Sequence, residues 1–575
     1  MSAHAYGLSL LRRGPVPRLV SIMAAMILAA VGAQTAPAAA QVPPIAGSRV
    51  VYPAAACAQS TDPHRVTCDL VDGPAAPGLP ALAGSAPAGY TPANLQAAYH
   101  LTERSGRVIG GSIAIVDPFD DPFAESDLAQ YRAFFNLPAC TAASGCFRKV
   151  NQNGSSSPLP ALNPAWVKEV SVDLDMVSAI CPLCHIVLVE ANDNQDHNMF
   201  AAEDWATAHA RFVSNSWSNP EDPGDETFDP HLDRPGVVIT ASNGDTGTGP
   251  RYPATNSHVI AVGGTSLTTS GGHFTEAAWG RAGSGCSAFE PKPAWQPPVA
   301  GCANRAEADV SAVADPSHGV AVFDAGWQVE GGTSVAAPII AATFALATPP
   351  RPGDYPASYL YSHTTWLRDV TSGSSNGGCG APICKPGTGW DGPTGLGTPN
   401  TVGAFAWYDP PQSNPPDQTG QVGIPISVNL SAFASGGIPP YHWFASLTQL
   451  LPPGLTLNGS TGLISGTPTS PGTYTSCYEM VDSSAHGNRV DDCMTWVINN
   501  VTVTVPNIVG DALPAAQGAL GSVGLSLGTE TDKGTTSCDL VGSVGSQNPA
   551  AGSVVSKGSS VDFTMWVLKP GSHCQ

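Results

Sequence analysis

Charge is scarce in this 575-residue chain, with Asp, Glu, Lys and Arg together making up 12% of it. Positive charge is the scarcer kind: 24 Lys and Arg stand against 45 Asp and Glu, for a formal net charge of −21. That balance excludes a partner gripped through a phosphate backbone, so no nucleic acid is expected. Beyond residue 40 no run is long and apolar enough to span a bilayer, which excludes a further membrane-spanning helix. None of the fourteen His stands in a His-Gly-x-His context. What the chain has in plenty is Gly, 62 residues, and Pro, 54 residues. Such a composition suits a loop-rich folded protein better than a disordered one. The length asks for roughly two to four domains.

Residues 1–40 read as a signal peptide. Arg12, Arg13 and Arg18 form a basic region, Leu19–Val31 supplies the apolar run, and Ala38-Ala39-Ala40 makes a cleavage site before Gln41. A single membrane anchor is the alternative, and the run is short for one. Secretion follows, with no stable membrane span once the signal is removed. The cysteines agree with an oxidising compartment. They fall into close couples: Cys57 and Cys68, Cys140 and Cys146, Cys181 and Cys184, Cys286 and Cys302, Cys379 and Cys384, Cys477 and Cys493, Cys538 and Cys574. Seven local bridges are the simplest arrangement. The stretch CPLCH at 181–185 has haem c spacing, but nothing nearby marks a second axial ligand, and a small disulfide is the expectation.

Residues 41–88, rich in Ala, Pro and Gly, predict a short arm, extended or loosely packed. From 89 to 408 apolar runs alternate with helical patterns. PAWVKEVSVDLDMVSAI predicts a helix, and HIVLVEA, ARFVSNSWS, GVVITASNGD and SHVIAVGGTSL predict strands. This is the signature of an α/β, doubly wound, mostly parallel sheet. Its site belongs at the carboxyl ends of the strands, where Asp117, Ser214, Asn215 and Asp245 fall. Residues 409–503 open with a Pro-rich linker and continue as short alternating strands, and 504–575 form a last small module.

GGTSVAAP at 331–338 places Ser334 in a nucleophile-like setting, and a serine hydroxyl needs a neighbouring base. No His offers itself. In KEVSVDLDM, Glu169 and Asp173 are four residues apart and share one helix face. Alone, that pair reads as a solvated acidic face on an amphipathic helix whose apolar side is Val170, Leu174 and Val177. Together with Ser334 it resembles the sedolisins, the serine-carboxyl peptidases. The Glu-x-x-x-Asp helix, the Gly-Thr-Ser-x-x-x-Pro motif at 332–338 and NGDTG, with Thr246 in place of the family's Ser, match in order over about 89–405. The resemblance implies a subtilisin-like fold and peptide-bond hydrolysis through an acyl-enzyme, with protein or peptide substrates and an acidic working pH. It assigns Glu169 as base, Asp173 as its partner, Asp245 as oxyanion donor and Ser334 as nucleophile.

LRDVTSG followed by KPGTGWDGPTGLGTP resembles the same family's calcium loop. It implies Ca2+ held by the Asp369 and Asp391 side chains and the Val370, Gly387 and Gly389 carbonyls. Residues 413–503 resemble Ig-like modules, implying a β-sandwich. The tail, with Val-Pro-x-x-x-Gly and Gln-x-Pro-x-x-Gly, resembles a PASTA domain, implying a small α+β module and peptidoglycan as a candidate partner. The arm is too short for the long prodomain usual in sedolisins. Two other readings compete: a non-catalytic wall-binding or adhesive secreted protein, and a neutral subtilisin-type enzyme whose His goes unrecognised. A monomer is expected.

Overall fold

The computed structural model describes residues 60, 62, 64–73, 87–108, 110–299, 301–373, 378–446, 450–483 and 489–573. The expected signal peptide at 1–40 and most of the arm before residue 64 lie outside the described residues.

The centre is an eight-stranded sheet built from β1 (Ser112–Pro118), β2 (Phe147–Asn151), β3 (His185–Ala191), β4 (Phe212–Asn215), β5 (Val238–Ser242), β6 (Ile260–Ser270), β7 (His273–Ala278) and β8 (Val310–Val313). The order is β7-β6-β5-β4-β1-β3-β2, with β8 also paired to β6. Every pairing is parallel except β6 with β7. β1 and β4 are buried almost throughout, as strands covered on both faces must be, so their sequences are runs of apolar and small residues. From β1 the chain crosses past β3 to the edge strand β2, returns to β3, and then passes to β4 on the other side of β1. The crevice beyond the carboxyl ends of β1 and β4 is therefore a topological switch point, where such sheets place their sites.

Two helices carry chemistry to that crevice. Pro164–Ile180 starts where predicted, with the Asn163 side chain accepting from the Ala165 amide and Pro at the first turn. The expectation of an amphipathic helix is corrected here: residues 166–180 are all buried. Thr333–Leu346 is buried along its whole length, and its sequence, TSVAAPIIAATFAL, is apolar on every side, as a central core helix requires.

The described part of the arm takes the extended one of the two forms expected. Thr67–Cys68 pairs antiparallel with Trp217–Ser218, and Val71–Asp72 pairs antiparallel with Glu330–Gly331. Val66 to Leu70 are buried. This part of the arm is integrated into the domain rather than loosely packed, because each short strand finds an unpaired edge on either side of the crevice.

Beyond residue 409, a four-stranded and a three-stranded sheet enclose a core that includes Leu430, Trp443, Ile464, Met480 and Trp496. This is the expected sandwich. The last module packs the helix Leu513–Ser522 against a three-stranded sheet around Ile508, Leu520 and Phe563. Five of the expected disulfides are present: Cys140–Cys146, Cys181–Cys184, Cys286–Cys302, Cys379–Cys384 and Cys477–Cys493. The other two couples involve Cys57 and Cys574, which lie outside the described residues, while Cys68 and Cys538 are disulfide-bonded. Both sulfurs of CPLCH are consumed in a bridge, which removes the thiols a haem would need. No helix of the described residues is long and apolar enough to cross a membrane.

Candidate active site

Ser334 is the second residue of its helix, and Gly332 before it adopts φ of 103°, a backbone that side chains rarely allow. Space demands glycine as well. A Cβ at this position would stand 2.2 Å from the Asp69 carbonyl oxygen and 2.7 Å from Asp245 Oδ2. Pro338 has no amide hydrogen to give the Ser334 carbonyl one turn earlier. That carbonyl accepts from Ser216 Oγ at 3.3 Å instead.

Glu169 and Asp173, one turn apart, are both fully buried, as is Ser334. Ser216 Oγ lies 2.6 Å from Asp173 Oδ1. Neither oxygen of Glu169 has a hydrogen-bond partner of normal geometry, and Ser334 Oγ donates to the Ser216 carbonyl at 3.1 Å. The hydroxyl is nonetheless close enough to favour the ionised form of Glu169 against the larger opposing effects. Burial first, and then Asp173 and Asp117, push the Glu169 carboxyl well above the carboxylate range. Burial and Asp117 do the same to Asp173. The groups that chiefly set the Glu169 proton affinity are Asp173, Asp117, Ser334 and Asp69, with no histidine among them.

Asp117, at the carboxyl end of β1, completes a trio of buried acids. Burial and Asp121 raise it to about 7, and neither of its oxygens is paired. Sequence reading placed Asp117 at a strand end without giving it a role. The signal was there in an apolar strand ending abruptly in an acid, but only the fold shows that the acid faces Glu169 and Asp173. Ser216 was missed for the same reason.

Asp245 stands across the crevice. Its Oδ1 accepts from the Thr333 amide at 2.9 Å and lies 3.0 Å from Thr333 Oγ1. Its Oδ2 has no partner. Burial, then Asp69, raise this carboxyl well above its ordinary value, and Oδ2 is its open oxygen. Thr246 is exposed and takes no part. The structure thus brings all four expected residues, Glu169, Asp173, Asp245 and Ser334, to one crevice.

Acids that keep protons in the fold bind more protons native than unfolded, so stability falls as pH rises. The contribution is fully present below the unfolded carboxyl range near about 4 and is lost as pH climbs through the folded values, about 7 for Asp117. The melting temperature should be several degrees higher at about pH 4 than at about pH 8. A thermal scan in which it rises over that interval contradicts a protonated cluster.

Of the second expected site, the structure brings Asp369, Asp391, Gly387 and Gly389 together. Asp369 Oδ2 accepts from the Gly389 amide at 2.9 Å, and Asp391 Oδ2 accepts from the Gly387 amide at 2.9 Å. Asp391 and Val370 are buried. Burial, with a further contribution from Asp369, lifts Asp391 to about 6.

Residues 173–380 match the subtilase family, residues 409–499 the family described as "Putative Ig domain", and residues 503–565 the PASTA domain. The subtilase match takes in Asp173, Asp245 and Ser334 but begins after Glu169. Kumamolisin of Bacillus sp. (strain MN-32) is 32% identical over 356 residues, which are 55% of this chain and 63% of that protein. Sedolisin of Pseudomonas sp. (strain 101) is 35% identical over 167 residues, 26% of this chain and 28% of that protein. The chain thus spans less than two thirds of the curated relatives it matches. A solved structure of Pseudomonas sedolisin (serine-carboxyl proteinase), complexed with two molecules of pseudo-iodotyrostatin, aligns with 56% of this chain and 98% of that one. The identity is 23% and the TM-score 0.49. Residues 173–380 thus carry a subtilase-family match, with kumamolisin and sedolisin among the similar proteins, and an Ig-like and a PASTA domain follow it.

Proposed function

We propose that the protein is a secreted serine-carboxyl endopeptidase working in acid. The observation that carries this is the fully buried Glu169–Asp173–Asp117 acid cluster beside Ser334, with no histidine among the groups that chiefly act on Glu169. Glu169 takes the Ser334 proton as Oγ attacks the substrate carbonyl and returns it to the leaving amine. Asp173 holds a shared proton with Glu169, because two close carboxyls do not both ionise readily. Asp245 gives its proton as a hydrogen bond to the oxyanion. Turnover of casein should peak below about pH 5 and fall toward neutrality as Asp245 and its neighbours ionise. An optimum at or above neutrality sinks the reading and favours an unrecognised histidine base.

The loop at 369–391 is read as a calcium site. Two carboxylates and a Gly-rich turn supply hard oxygen donors, which is the chemistry calcium takes. Asp369 and Asp391 would hold the ion with the Val370, Gly387 and Gly389 carbonyls, and the ion would relieve the repulsion between the two acids. Calcium at about a hundred times its dissociation constant should add about 2.7 kcal/mol of stability. Asp369→Ala should abolish the melting shift between calcium and chelator, and an equal shift in wild type and variant removes this assignment. The disulfides fit an oxidising, extracellular location, and the PASTA domain suggests peptidoglycan as a partner.

A further inference from the structure

The arm does more than cover the crevice. The Asp69 carbonyl accepts from the Ser334 amide at 2.9 Å, and the Asp69 amide donates to the Ser216 carbonyl at 3.4 Å. A nucleophile's own backbone N–H is a usual oxyanion donor. The unpaired Oδ2 of Asp245 borders the same space beside Gly332 as that carbonyl oxygen. Upstream, Thr67–Cys68 forms a strand with Trp217–Ser218, and downstream, Val71–Asp72 forms one with Glu330–Gly331. Lys168 Nζ holds Asp72 at 2.6 Å. An extended segment is therefore gripped on both sides of one peptide bond, with its carbonyl directed at the oxyanion donors.

The Asp69 side chain has a built pocket. Its Oδ2 accepts from Ser218 Oγ at 2.7 Å and from Ser242 Oγ at 2.6 Å. Buried Arg251 donates from Nε to Ser218 Oγ at 2.8 Å, so one serine relays the guanidinium to the carboxyl. Arg251 has no ion-pair partner among the described residues. The acid facing it is Glu307, whose Oε1 accepts from the Arg251 backbone amide at 2.8 Å.

We infer that the Asp69–Leu70 bond is the protein's own first substrate, and that Ser218, Ser242 and Arg251 select an acidic side chain on the amino side of the cut. This rests on the peptidase reading above. In the step, Ser334 Oγ bonds to the Asp69 carbonyl carbon while Glu169 takes the hydroxyl proton. The carbon–nitrogen bond breaks, and Glu169 gives that proton to the Leu70 nitrogen. Water then attacks the ester, and Glu169 passes the water proton back to Ser334. The products are an Asp69 carboxylate and a free Leu70 amine.

The test uses the full chain as wild type and as Ser334→Ala, held in acid and read by intact mass and amino-terminal sequencing. Wild type should yield a chain beginning at Leu70, and Ser334→Ala should stay uncut. Matured wild type is then offered peptides Val-Thr-Ser-X-Leu-Val with X as Asp, Glu, Asn or Lys. Asp should exceed Lys in kcat/KM by on the order of a hundredfold, and Arg251→Gln should collapse that ratio. If Arg251→Gln does not fold, Ser218→Ala and the wild-type panel decide. Casein cleavage with a terminus elsewhere, or a preference for Lys, overturns this inference and leaves the peptidase reading standing. No casein cleavage at any pH overturns the peptidase reading itself.

Discussion

Ser334→Ala should lower kcat on casein by about 10^6-fold, the scale on which a serine nucleophile fails when removed. Glu169→Gln should cost nearly as much, and the double variant little more than either. The reason is that the two act as one unit: without a base the hydroxyl keeps its proton, and without the hydroxyl the base has nothing to activate. Glutamine retains the shape of Glu169 in a fully buried site but cannot accept the proton. It also removes an acid that Asp173 and Asp117 oppose, so the fold should not suffer. Steady-state kinetics of the three variants, with melting curves beside them, check this. If the losses multiply, or if Glu169→Gln keeps most of its turnover, some other group is the base.

The second large effect belongs to Asp245. Asp245→Ala should reduce kcat by on the order of 10^2 to 10^3, the usual cost of losing one oxyanion donor, with KM changed far less. Two things separate this role from a structural one. The side chain anchors the start of the Ser334 helix through Thr333, so truncation alone could disturb the nucleophile. Asp245→Asn keeps a donor and an acceptor in that position, and its amide does not ionise. The Asn variant should therefore recover part of the rate and lose less of it as pH rises than wild type does. An Asn variant with the wild-type pH profile would mean that Asp245 ionisation does not limit turnover.

Local chemistry explains which parts of the molecule were legible beforehand. The helix at 164–180 and the strand at 185–191 have the predicted bounds, because Asn163-Pro164 caps one end, Pro182 follows the other, and the strand is built on the apolar run Ile186–Val189. The four expected site residues sit in short motifs whose spacing is itself the constraint. What stayed hidden depends on contacts between distant segments. Nothing between 41 and 88 signals that Asp69 meets Ser218, Ser242 and Ser334, since two-residue strands have no periodicity to read. The burial of the Glu169 helix on all sides was equally invisible, because Lys168, Glu169, Asp173 and Asp175 make it look like a surface helix. Buried acids of this kind break local rules, and such violations concentrate where function requires them.

Pro338 shows what such a violation yields. A helix buried from end to end would gain one more internal hydrogen bond with almost any other residue at that position. The chain forgoes that bond one turn beyond its nucleophile, and the carbonyl released is tied to Ser216, whose hydroxyl also meets Asp173. The backbone of Ser334 is thereby joined to the acid helix without passing through the reacting hydroxyl. Rigidity withheld from the helix reappears as a fixed distance between nucleophile and base, so the weakest point of the most buried element is also what keeps the two halves of the site in register.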